Sequence, residues 1–424
     1  MRCRPRIPRR SLFALAAAVA LALASPLACA ADEATWYVSG SRVLPAPDAA
    51  ALIDAVVLGR GSKILAVGPK AELALPTGAR ELGCGGGVVT AGFQNSHVHF
   101  TGPQFAGAAR AAPAALEAAL REMLTRHGVT TAVDTSSDRD NTLALRARID
   151  SGALAGPRIL TVGAALFPAG GIPFYLDFLP QAVRDALPQP ATPEAATQLV
   201  RANLAAGADA TKLFIATPQA DRSVKHMPVP VARAAADETH RAGKLALAHP
   251  TDVDGLRDAL AAGVDVLLHT TLGVVEPWPE ALVTQLVVRK TALVPTLKLW
   301  PYELDKARLP DAVRQRLIDA TLAQLKQYAD AGGLVLFGTD VGYMADFDPA
   351  DEYLLMARAG LSAMQILASL TTAPAQRWGE ADRGRVAAGQ QADLVVLDGD
   401  PAVDVRQFGK VRCTIRGGAL IYRR

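Results

Sequence analysis

From residue 92 onward, short apolar or β-branched runs alternate with longer runs whose apolar residues recur three and four positions apart. That is the pattern of repeated strand and helix units around a parallel sheet. Eight short runs stand out, at 92–100, 129–136, 157–166, 209–216, 244–250, 263–271, 292–300 and 332–340. Several are entered through a glycine that closes the preceding helix, as at Gly128, Gly207, Gly263 and Gly332. The intervening runs, such as 113–127, 193–206, 229–242 and 311–331, are rich in Ala, Leu, Arg and Glu, each with one apolar face. Eight such units in roughly 280 residues predict an α/β chain folded as a (β/α)8 TIM barrel, with its chemistry at the C-terminal strand ends.

Two flanking stretches differ in style. Residues 34–90 and 383–424 carry short alternating segments, at 55–58, 63–67, 392–397, 411–415 and 419–422, punctuated by Gly, Pro and Asp. Neither is long enough to enclose a core alone, so the two ends are expected to combine in one small β-sandwich domain. The expected division is 1–30 leader, 31–90 first part of the sandwich, 91–380 barrel and 381–424 second part, with 362–378 helical.

The leader changes the charge picture. Five arginines within the first ten residues precede an apolar run from Ser11 to Ala24 and a small-residue site at Ala28-Cys29-Ala30. This is the layout of a secretory signal peptide cleaved near Ala30, for a periplasmic or extracellular product that meets the membrane only transiently. Arg9-Arg10-Ser11-Leu12-Phe13 also resembles a twin-arginine export signal, with ordinary positive residues an equal reading. The whole chain has 44 basic and 41 acidic side chains, and removing the leader leaves 39 against 41. Without a basic run elsewhere, no nucleic-acid partner is expected. Cys84 and Cys413 alone survive cleavage, and two unpaired buried cysteines are expected in preference to a disulfide.

Candidate chemistry lies at the strand ends. His97 and His99 are two apart on an extended segment, so both imidazoles point to one side and can reach one metal ion. Lys212 lies inside the fourth run, His249 ends the fifth, His269 ends the sixth and Asp340 the eighth, so four of seven histidines converge there. A lysine in an apolar strand is costly when charged; it either pairs with a carboxylate or is modified, for example by carbon dioxide to a carbamate.

The segments Gly92-Phe93-Gln94-Asn95-Ser96-His97-Val98-His99-Phe100, Gly128-Val129-Thr130-Thr131, Gly207-Ala208-Asp209-Ala210-Thr211-Lys212 and Phe337-Gly338-Thr339-Asp340 resemble the imidazolonepropionase-like and prolidase-like branch of the amidohydrolases. So do the step from His249 to His269 and the tail from Asp382 to Asp398. The resemblance implies a binuclear centre, with His97, His99 and Asp340 on the more buried cation, His249 and His269 on the second, and carboxylated Lys212 bridging them. It implies two divalent ions, zinc first, a metal-activated hydroxide as nucleophile, and Asp340 moving the proton from water to the leaving nitrogen of an amide-like C–N bond. Peptide-like, N-acyl and cyclic amides are the expected small-molecule substrates. Asn95-Ser96, where relatives more often carry an acid, and Pro250-Thr251-Asp252 after His249 depart from the family pattern.

Substrate contacts are sought in the long segment 167–192, read as a lid with Tyr175, in His226 after the fourth strand, and in Lys298 near the end of the seventh. Three alternatives stand beside the binuclear hydrolase: a mononuclear deaminase-like enzyme, an imidazolonepropionase-like hydrolase, and a metal-loaded binding protein without turnover. Homo-oligomerisation is left open.

Overall fold

The computed structural model describes residues 34–272 and 277–424. The leader, its cleavage site and the twin-arginine resemblance lie outside the described residues. Ala34–Arg424 forms one compact unit. Among the described residues, no helix is long and apolar enough to cross a membrane.

Both chain ends meet in one eight-stranded sheet. Its order runs Ala419–Arg423, Val411–Arg416, Leu394–Leu397, Gly87–Ala91, Thr35–Val43, Leu52–Arg60 and Lys63–Pro69, with Arg80–Glu81 beside Thr35–Val43. Leu394–Leu397 joins the ends by pairing antiparallel with Gly87–Ala91, Leu394 opposite Ala91. Trp36, Val38, Val57, Val89, Leu394 and Ile415 form its buried cluster. The ladders describe one continuous sheet and do not by themselves define the two layers of a sandwich. Cys84 and Cys413 are both buried there and are joined as a disulfide, their Cα atoms 5.9 Å apart. This corrects the expectation of two free thiols: they are 329 residues apart in the chain, so only the meeting of its ends brings them together.

The central strands form two parallel sheets. One contains Phe93–Val98, Val129–Asp134 and Arg158–Thr161; the other contains Ala210–Phe214, Leu245–His249, Val266–Leu268 and Ala292–Val294. Single bridges connect them, Leu166 to Leu213 on one side and Leu293 to Val335 and Val98 to Val341 on the other. The eighth run, 332–340, is therefore not a regular ladder strand. It pairs first with one sheet, Leu336 N–H donating to Leu293 carbonyl at 2.8 Å, then with the other, Ser96 N–H donating to Phe337 carbonyl at 2.7 Å. Gly338 permits the crossing, because a β-carbon there would lie 2.3 Å from the Val294 side chain and 2.9 Å from His97 Cβ.

The expected helices are present at Pro113–Met123, Pro193–Ala205, Val229–Arg241 and Asp311–Asp330. The stretch 362–378 divides into Ala363–Leu370 and Thr372–Arg377, the first opened by a capping box between Ser362 and Gln365. The seventh run stops at Val294, and Leu299–Lys306 is helical, with Leu299 and Trp300 buried in its first turn.

Candidate metal centre

The parallel pairing of Ala210–Phe214 with Leu245–His249 places His249 opposite Phe214 at the C-terminal end of both strands. His97 and His99 end Phe93–Val98, His269 follows Val266–Leu268, and Asp340 follows the crossing segment. All six residues read from the sequence, His97, His99, Lys212, His249, His269 and Asp340, line one cavity of about 580 Å³. His97, His99 and Asp340 form the tightest group, with ligating atoms all within 4.8 Å of one another. The His269 ring lies 4.7 Å from both the His97 and the His249 rings, centroid to centroid.

Burial holds these imidazoles neutral. It pulls His97 down to about 4 and His249 to about 3, and takes His269 well below the usual histidine range. Their tautomers follow from their partners. His99 Nδ1–H donates to the Ser136 carbonyl at 2.9 Å, which leaves Nε2 as the nitrogen turned towards Asp340. Thr296 gives its hydroxyl proton to the Pro295 carbonyl at 2.9 Å and so accepts from His269 Nδ1–H at 2.6 Å, which leaves His269 Nε2 free.

Those orientations test whether the residues suit a cation. His99 Nε2 lies 3.0 Å from Asp340 Oδ1, an oxygen that is buried without a hydrogen-bond donor among the described residues. His97 Nε2 lies 3.3 Å from the same oxygen. Two imidazole nitrogens and a carboxylate oxygen gathered at this range are donor atoms of the kind a divalent cation takes. The donor set fits a metal.

Lys212 is buried, and its ammonium makes no ion pair or hydrogen bond among the described residues; Phe214's ring lies 4.6 Å away. Burial lowers it to about 8, against the opposing pull of Asp340 and Asp134. The expected alternative, a pair with Asp340, is not formed.

Backbone strain gathers around the same mouth. His269 (φ 76°), Asp340 (φ 58°), Thr296 (φ 44°), Ser136 (φ 112°) and Thr251 (φ 61°) all adopt positive φ. Gly342 (φ 98°) lies so close to His99 that a β-carbon would meet its carbonyl at 1.8 Å.

The substrate candidates separate. Tyr175 lines the cavity, from the segment 167–192 that also supplies Phe167, Phe174 and Phe178. His226 is not on the lining; it sits in the hairpin formed by Ala216–Pro218 and Val224–His226, its Nδ1 2.9 Å from Asp258. Lys298 is also absent from the lining, because its ammonium pairs with Asp346 at 2.8 Å. Sequence reasoning missed Thr296 and Ser136 as supports, whereas Asn95 had stood out as a departure from the family pattern beside the ligands. Asn95 ties the histidine strand to the Asp340 segment by accepting from His97 N–H at 3.2 Å and donating to Thr339 Oγ1 at 2.7 Å. Thr296, a threonine in an apolar run, offered no such signal.

Residues 88–421 match the model of the amidohydrolase family. A search among curated proteins found no match. Among solved structures, the chain is similar to a Xaa-Pro dipeptidase with methionine bound in its active site, at 19% identity and TM-score 0.78, over 92% of this chain and 100% of that one. It is similar to A. niger ochratoxinase at 18% identity and TM-score 0.76, over 93% and 96% of the two chains. A prolidase complexed with N-methylphosphonate-L-proline aligns at 23% identity and TM-score 0.74, over 92% and 100%.

Proposed function

Because this chain belongs to the amidohydrolase family, we propose that it is an exported, metal-dependent hydrolase cleaving an amide-like C–N bond in a peptide-like, N-acyl or cyclic amide. The observation that carries the reading is the carboxylate oxygen of Asp340, without a hydrogen-bond donor among the described residues and beside Nε2 of His97 and His99, inside a cavity shared with Lys212, His249 and His269. His97, His99 and Asp340 would hold one divalent cation and His249 and His269 a second, zinc being suited to such nitrogen and oxygen donors. Bound there, the cations would supply Lewis acidity that polarises the scissile carbonyl and makes water acidic enough to lose a proton near neutral pH.

The chain's own groups do the rest. Asp340 takes the proton from the attacking water and returns it to the leaving nitrogen. The deprotonated form of the Lys212 amine, made more accessible by a pKa lowered to about 8, would add to carbon dioxide, the N–C bond forming as one C=O π pair moves to oxygen and an N–H proton leaves, and the resulting carbamate would offer two oxygens as metal ligands. Phe167, Phe214, Tyr175 and Trp300 give the same cavity a largely aromatic wall.

The two bridged parallel sheets support a (β/α)8 barrel over 91–380, with 31–90 and 381–424 as an accessory sandwich domain. Residues 1–30 act as the signal peptide, and the Cys84–Cys413 disulfide suits the oxidising compartment to which it would lead.

The test is metal content per chain of the mature protein purified with bicarbonate, with the intact mass read for one added carbon dioxide. Two metals and the adduct are expected. One metal and an unmodified Lys212 would overturn the bridge and favour the mononuclear reading, which rests on His97, His99 and Asp340 forming the tight ligand group among the described residues.

A further inference from the structure

The walls of the cavity say what it selects. Phe167 and Phe214 stack at 4.4 Å on one side, and Tyr175 meets Tyr343 edge to face at 5.8 Å across the mouth. Phe174 and Phe178 border the mouth with 47% and 79% of their surface in water. Rings left this exposed gain from being covered by an apolar group of the ligand.

Away from the proposed metal centre, the charge on the described lining is acidic. Beyond Lys212 and Asp340, which the proposed centre uses, the charged residue on the described lining is Glu303. Glu303 Oε1 accepts from Tyr343 hydroxyl at 2.9 Å and from Lys306 at 2.7 Å. Lys306 is not on the described lining, its ammonium 4.0 Å from the centre of the Tyr302 ring, so the carboxylate is the member of this ion pair that lines the cavity. No arginine lies on the described lining to receive an anion in bidentate fashion. Burial, followed by the negative charges of Asp340 and Glu303, pushes the Tyr175 phenol up, in keeping with that field.

We propose that this cavity takes amides whose flanking group is aromatic or apolar and uncharged, and that Glu303 makes it discriminate against a free carboxylate beside the scissile bond. The inference rests on the hydrolase reading above and narrows its substrate class to neutral N-acyl arylalkylamides, away from dipeptide free acids.

The test compares N-acetyl-L-phenylalanine with N-acetylphenethylamine, which share one acetamide bond and one phenyl ring and differ in the carboxylate. Hydrolysis and calorimetric affinity are both measured on the metal-loaded mature chain. The neutral amide is expected to be favoured by at least about tenfold in kcat/KM and in Kd, since like charges in a partly dry cavity cost this much or more. Glu303→Gln is expected to narrow the difference several-fold by improving the acid. Equal or better handling of the acid overturns the inference and leaves the hydrolase reading intact, as does unchanged discrimination in Glu303→Gln for the role of that residue. If neither compound is cleaved, the hydrolase reading loses support while the affinities still decide the inference; failure of both to bind overturns it.

Discussion

At the residue scale, the site depends on atoms left without ordinary partners and on others that are fully partnered. Asp340 Oδ1 has no hydrogen-bond donor among the described residues, and Asp340 is the proton carrier of the proposed reaction. Asp340→Asn should therefore lower kcat by about 10²–10⁴-fold or more, measured on any amide the protein turns over. Thr296 acts one step removed, by fixing which nitrogen of His269 bears the proton. Thr296→Val keeps the shape and removes the acceptor, and should weaken metal affinity about 10–100-fold in a chelator competition, with smaller loss of turnover once metal is saturating. Asp340 was legible in the sequence because a carboxylate ends a strand in a motif; Thr296 was not, because a threonine in an apolar run has no distinguishing neighbour.

At the element scale, the turn that carries Thr296 is itself held from a distance. Glu352, fully buried on the helix Ala350–Arg358, accepts from Leu297 N–H at 3.0 Å and Lys298 N–H at 2.7 Å at the start of Leu299–Lys306. Burial raises its carboxyl from 4.5 to about 7, although these backbone bonds and the Lys298 charge oppose the rise. Its pKa is thus higher folded than unfolded, so the folded state binds the extra proton between pH 4.5 and 7. The stability linked to this group is full below pH 4.5 and is lost as pH rises to 7, amounting to about 3 kcal/mol. Denaturant unfolding across that window should show the slope in the wild type and lack this contribution in Glu352→Gln. The helix Asp311–Asp330 and the strand Leu245–His249 were legible as elements; the crossing at 334–341 was not, since its bonds alternate between two sheets that periodicity cannot distinguish.

On the scale of the whole molecule, the disulfide joins the first and last parts of the described chain into one sheet. Reducing it, or replacing Cys84 and Cys413 by serine, should cost about 2–5 kcal/mol, seen as a lower Tm that reductant reproduces in the wild type and not in the variant. Metal removal should also lower Tm, because ligands that fit a cation bind it in the folded state and not in the unfolded chain. Adding the metal back should restore Tm in wild-type protein and restore it less in His97→Ala. The field at the cavity is likewise a property of the assembled molecule: Glu303 and Lys306 neutralise one another in any residue count, and only their placement leaves the acid facing inward.

The sequence by itself determined the repeating strand and helix units, the convergence of His97, His99, His249, His269 and Asp340 on one end of them, and the burial of Lys212. These follow from local periodicity and from the rule that parallel strands present their C-terminal ends together, so no distant contact had to be known. The tertiary structure decided the Cys84–Cys413 pairing, the withdrawal of Lys298 and His226 from the cavity, the support of His269 by Thr296, and the aromatic, acid-facing wall. Each of these is a meeting of side chains far apart in the chain, where distance and orientation set the outcome and residue identity alone leaves several partners open.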